Sequence, residues 1–158
     1  MMKRVVLFGL ICFTCFAVMA EQVTVTLVAV SGSYLQKTDA AGLWIKDNSQ
    51  YLLLRKESPR LEFSKFKKVE IQTNEFNPEW NNVLFSLFPE DAKRFHEFTK
   101  THVGKQVACF FGEKYCCAPV IFAPISGGQF VLSAKLTDQD KKRIMQIKKS
   151  PKGNASGD

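Results

Sequence analysis

V-G-K-Q-V-A-C-F-F-G-E-K-Y-C-C-A-P-V-I-F-A-P-I-S-G-G-Q-F-V-L-S-A, residues 103–134, is the stretch whose reading decides the fold. Apolar runs alternate in it with glycine-bearing turns. Residues 106–111 and 114–122 are rich in β-branched, aromatic and small apolar side chains, and Gly112-Glu113 puts glycine at the first central position of a two-residue loop. The spacing predicts a β-hairpin. Pro124-Ile-Ser-Gly-Gly128 then ends the second strand, because proline has no N–H for a ladder and paired glycines admit positive φ. Strand character resumes over 129–136.

The same segment carries a resemblance. Its features are Val103-Gly104-Lys105 leaving a helix, an alanine-led apolar strand, a tight turn ending in Lys114, Ala118-Pro119, and Pro124-Ile-Ser-Gly-Gly128. In that order they strongly resemble the head subdomain of the first periplasmic domain of SecD, the accessory subunit of the bacterial protein-export machine. Residues 23–30, 52–54 and 82–88 fall where that family's earlier strands would fall, so the likeness covers most of the chain. It departs at two places: Gly112-Glu113 stands where the family usually has Asp-Gly, and Cys116-Cys117 where it usually has apolar or small residues.

With 158 residues, 46% hydrophobic and 23% charged, the chain has the composition of one globular domain. The first twenty residues differ. Lys3-Arg4, an uncharged run over 5–20 and small residues Val18 and Ala20 form the pattern of a secretory signal peptide, too short for an ordinary membrane span. The expectation is a signal peptide over 1–20, a domain over 21–150 and a disordered tail over 151–158. An uncleaved anchor or a lipoprotein is the lesser reading, since Cys12 and Cys15 lack a lipoprotein context. Without Lys3 and Arg4 the 22 basic residues become 20 against 15 acidic, a net of about +5. That mild excess suits solubility or weak contact with an anionic membrane surface, not nucleic acid.

Cys109, Cys116 and Cys117 remain after such cleavage. A regular hairpin closed at 112–113 pairs 111 with 114, 110 with 115 and 109 with 116. Cys109 and Cys116 are therefore expected opposite one another and bridged in an oxidising compartment, with Cys117 the odd thiol. Three reduced, buried cysteines are the alternative. A structural zinc would need a fourth ligand, and none is visible nearby.

Elsewhere the pattern predicts a strand over 23–30, a loop with one short strand over 31–50 holding Trp44 on the core, and a strand over 51–55. A short helical turn follows over 61–66, then a hairpin of 69–73 with 82–88 whose long loop carries Trp80. Residues 89–102 give the clearest helix: Pro89 at its start, Glu90 and Asp91 in the first turn, Lys100 and His102 in the last, Gly104 beyond. Ala92, Phe95, Phe98, Thr99 and His102 form its sheet-facing stripe. A second helix opens at Thr137 with Asp140 completing a capping box, and carries Ile144, Met145 and Ile147. This order of elements is the α+β class: a two-layer sandwich of mixed or antiparallel sheet with two helices on one face, ferredoxin-like in tendency.

Little in the chain suggests catalysis. His96 and His102 lie about 240° apart around their helix and cannot share a ligand. A Cys117–His dyad is the remaining nucleophile hypothesis, and no hydrolase, zincin or phosphate-loop motif is present. Function is expected in a surface. The resemblance implies a non-catalytic periplasmic or secreted module, without cofactor or metal, contacting extended or unfolded polypeptide or an export-related partner. The candidate contacts are Pro119, Pro124, Ile125, Ser126, Gly127 and Gly128, through an apolar groove or an open sheet edge. A dedicated binder or inhibitor of one envelope or secreted protein, or a Cys117-dependent enzyme, are the alternatives.

Overall fold

The computed structural model describes residues 24–147. The expected signal peptide over 1–20 and the expected disordered tail over 151–158 lie outside the described residues.

Among the described residues, ten strands and two helices make an α+β fold in which every strand pair is antiparallel. The strands divide among three sheets instead of the single sheet expected. β1 (Val25–Ala29) is central to the first, flanked by β5 (Arg60–Phe63) and by β8 (Val107–Phe111), with β9 (Lys114–Cys117) outermost beside β8. The second has β7 (Asn81–Ser86) between β6 (Lys68–Thr73) and β10 (Gln129–Ala134). The third has β4 (Gln50–Leu54) between β2 (Gly32–Tyr34) and β3 (Leu43–Asp47).

The pleat explains why one sheet would not suffice. Val25 and Leu27 of β1 point to one side with Cys109 and Phe111 of β8, while Val28 and Ala108 point to the other and pack with Leu54 of β4. The first sheet thus buries both faces, and each needs its own cover. On the first side the cover is a cluster of phenylalanines. Phe85 stacks on Phe130 with ring centroids 5.1 Å apart, Phe66 lies 4.8 Å from Phe85, and Phe95 of the helix lies 5.1 Å from Phe130.

α1 (Pro89–Thr101) follows the expected signals, with Pro at its start, Glu90 and Asp91 in its first turn and Lys100 in its last. Phe95, Thr99 and the capping His102 are buried, and Ala92 and Phe98 are half-buried. α2 (Asp138–Ile147) opens on the capping box: Thr137 N–H donates to Asp140 Oδ2 at 2.9 Å, and Asp140 N–H donates to Thr137 Oγ1 at 3.1 Å. Its Ile144 is fully buried. No helix among the described residues is long and apolar enough to cross a membrane.

Three local expectations are corrected. The segment 61–66 does not form a helical turn. Leu61 and Phe63 are buried while Arg60 and Glu62 are exposed, a period of two that pairs Leu61 with Leu27 and Phe63 with Val25. The 31–50 stretch holds two strands, and Trp44 packs edge-on against Tyr34 at 5.4 Å, donating its indole N–H to Ala40 O. Finally, the 112–113 turn forms as expected, with Gly112 at φ +59° and Phe111 opposite Lys114, but a bulge then shifts the register. Cys117, not Cys116, stands opposite Cys109, which removes the geometry that favoured a Cys109–Cys116 bridge. All three are free thiols in this structure.

Candidate functional site

Past Cys117 the regular ladder ends, and the chain runs on as a strap held alongside residues 104–107, where Val120 bridges Gln106. Val107 N–H donates to Pro119 O at 2.9 Å, Ile121 N–H to Lys105 O at 3.0 Å, and Gly104 N–H to Ile121 O at 2.7 Å. Gln106 Nε2 adds a bond to Ala118 O at 3.2 Å. The far end is fixed to the helix, where Ile125 N–H donates 3.0 Å to the Oγ1 of fully buried Thr99.

Beneath this strap lies a cavity of about 360 Å³ with mainly apolar walls. Leu27 and Val107 form its sheet side, Phe98 and Thr99 its helix side, Phe130 and Leu132 its β10 side, and Ile121 and Ile125 its roof. Cys109 also reaches it. Phe122, 87% exposed, projects from the strap at the same place. A concave apolar site with an exposed aromatic at its rim can accept bulky apolar side chains, and its volume falls at the small end of ordinary ligand pockets.

The expected contact residues separate into three groups. Pro119 and Ile125 line the cavity. Pro124, Ser126 and Gly127 are exposed on the strap's descending limb and are not part of its lining. Gly128 is buried, has φ +61°, and offers its carbonyl to Leu87 N–H at 2.8 Å, so its place is in the turn that returns the chain to β10. Missed from the sequence were Val120, Ile121 and Phe122, which had been assigned to a strand interior, and the far wall from α1 and β10. A signal was available in Val-Ile-Phe-Ala lying between two prolines, where a ladder strand has little room.

The thiols sit at the opposite end of the strap. Cys109 directs its S–H to Val107 O at 3.6 Å, and the neighbouring Cys117 thiol and burial push the Cys109 thiol well above its ordinary range. The Cys109 thiol outweighs burial at Cys117 and, with the Ser133 amide, holds Cys117 below the ordinary range. Burial pushes Cys116 up to about 11. His102 instead meets Phe98 O through Nδ1 at 2.7 Å and stacks on the Phe98 ring. Among the described residues no cluster of His, Cys, Asp and Glu could hold a metal ion.

Lys114, at the end of the β8–β9 turn, donates to Lys135 O and to Asp140 Oδ2, each at 2.7 Å. One ammonium thus ties the hairpin to the start of α2.

Comparison with known proteins agrees with this architecture. The sequence matches the family described as SecDF, P1 head subdomain, over residues 22–147. Among curated relatives, the protein translocase subunit SecD of Sebaldella termitidis is 31% identical over 90 residues, 57% of this chain and 22% of that protein. SecD of Thermobaculum terrenum is 35% identical over 66 residues, 42% of this chain and 13% of its own length. SecDF of Thermus thermophilus is 32% identical over 68 residues, 43% and 9% of the two chains. The chain therefore spans less than a quarter of the length of these relatives. A solved structure of SecDF, described as a membrane component that enhances protein export, shares the fold at a TM-score of 0.54 and 20% identity, covering 81% of this chain and 62% of that one. With residues 22–147, four-fifths of its length, matched, this chain belongs to the SecDF P1 head subdomain family.

Proposed function

We propose that this chain is a non-catalytic, export-related module of the periplasm or cell exterior that holds extended or unfolded polypeptide at the strap cavity. The observation that carries the reading is the apolar cavity with Phe122 exposed at its rim. An unfolded chain displays the large apolar side chains that a folded one hides, and this site offers them a mainly apolar wall without demanding a sequence. Kinship with SecD and SecDF, translocase subunits by name, supplies the setting. Of the expected contacts, Pro119 and Ile125 are assigned to the cavity, Pro124, Ser126 and Gly127 to its outer rim, and Gly128 to positioning of the turn.

The test is fluorescence anisotropy of a reduced, carboxymethylated and hence permanently unfolded polypeptide titrated with the protein. Saturable binding is expected, weakened at least about tenfold by Phe122→Asp, equivalent to about 1.4 kcal/mol. Equal affinity of the variant and the parent protein, with both folded by circular dichroism, would overturn the reading.

One observation favours a second reading, a dedicated binder of a single envelope or secreted protein. Phe76 is 97% exposed at the tip of the β6–β7 loop, and Asn74 Oδ1 holds that loop by accepting the amides of Phe76 and Asn77. A lone aromatic on a pre-ordered loop suits a fixed partner. Affinity capture that returns one stoichiometric protein, lost on Phe76→Ala, would select this reading over a mixture of unfolded clients.

A further inference from the structure

We infer that Cys109 and Cys117 are a redox-active pair that closes to an intrachain disulfide across the β8–β9 bulge, leaving Cys116 as the free thiol. The register sets the two directly opposite on antiparallel strands, where Cα atoms stand about 4.5–5.5 Å apart, within the span a disulfide accepts. Both side chains pack in the same core cluster. Cys109 directs its S–H to Val107 O and the bulged Cys116 its S–H to Lys114 O, each at 3.6 Å.

The two positions differ as the two halves of an exchange reaction require. Cys109 is 2% exposed, whereas Cys117 is half-buried on the outermost strand and is the thiol an oxidant can reach. The neighbouring Cys109 thiol and the Ser133 amide favour its thiolate. With a small-molecule or protein disulfide as oxidant, the Cys117 thiolate attacks one of its sulfurs. This forms a mixed disulfide and expels the other sulfur as a thiolate, which takes up one proton. Cys109 then gives up its proton and attacks Cys117 Sγ, expelling the remaining half of the oxidant, which leaves as the second thiol. Two cysteine thiols become one disulfide while the oxidant disulfide becomes two thiols, so protons and electrons balance. Cys116, its thiol kept protonated by burial, is the weaker nucleophile.

The reaction does not depend on the polypeptide-holding role, and its test does not read that role. The purified, reduced protein is incubated with oxidised glutathione, alkylated with iodoacetamide, and digested with trypsin. The expected product links the peptide covering residues 106–114 to that covering 115–135, with the alkyl group on Cys116 as placed by backbone fragmentation between residues 116 and 117. Cys116→Ser should retain the link and Cys117→Ser should lose it. An alkyl group on Cys117 in a linked product, a persistent glutathione adduct without the link, or three alkylated thiols would each overturn the inference, and the unmutated protein alone suffices to read them.

Discussion

Gly128 lies against Ala92 of α1 so closely that a Cβ on the glycine would stand 2.6 Å from the Ala92 Cβ. Contact and left-handed backbone, φ +61°, act at the same residue, whereas its neighbour Gly127 has open space around it and no positive φ. Gly128→Ala should therefore destabilise the fold by roughly 1–3 kcal/mol, and Gly127→Ala by no more than about 0.5 kcal/mol. Urea midpoints of the two variants check this; equal effects would mean that the turn is not held as described.

A similar contrast separates two phenylalanines. Phe85 is fully buried and stacks on Phe130, whereas Phe76 is almost wholly exposed. Phe85→Ala should cost about 3–5 kcal/mol and Phe76→Ala at most about 0.5 kcal/mol, read by thermal and chemical denaturation.

These contrasts also show which parts of the molecule the chain's chemistry announces. The Gly112 turn, α1 with its buried stripe, and the Thr137–Asp140 box are local devices, each decided by residues within four positions, and all three form as their patterns imply. β5 is equally local, since Leu61 and Phe63 alternate with Arg60 and Glu62, a period of two that the expected helical turn over 61–66 does not follow. The bulge at Cys109 has no such local cause. β8 stays paired with β1 over its whole length while it meets β9, and nothing in Tyr115-Cys116-Cys117 specifies Cys116 as the skipped residue. The expected apolar groove by Pro119 and Ile125 names only the contiguous roof of the cavity, whereas its other walls come from β1, β8, β10 and α1 and carry no local signal.

The pH dependence of stability should include a contribution from Asp140. Burial disfavours its charge, but the Lys114 ammonium and the Thr137 donors outweigh burial and hold its pKa below the ordinary value. A carboxylate whose folded pKa is depressed stabilises fully above its unfolded pKa of about 3.9, and that contribution is lost as pH falls through the folded value. Asp140→Ala should cost about 1 kcal/mol at about pH 7, through loss of the cap and the ion pair, and this difference should shrink towards about pH 2. Denaturant titrations at both pH values test it; a difference that grows on acidification would contradict the assignment.

Thr99 links the strap to the helix, because its Oγ1 accepts from Ile125 N–H at 3.0 Å while donating to His96 O at 3.0 Å. Thr99→Val keeps the volume and removes the acceptor, leaving the Ile125 amide unpaired at a cost of about 1–3 kcal/mol. Much of that strain can be relieved locally if the strap lifts, since its other bonds run to residues 104–107 and stop at Ile121. Thr99→Val should therefore speed chymotryptic cleavage after the exposed Phe122 and weaken binding of unfolded polypeptide, whereas Thr99→Ser, which retains the oxygen, should do neither. If Thr99→Val lowered global stability without changing the cleavage rate at Phe122, the strap would be held by its packing over the cavity and not by this bond.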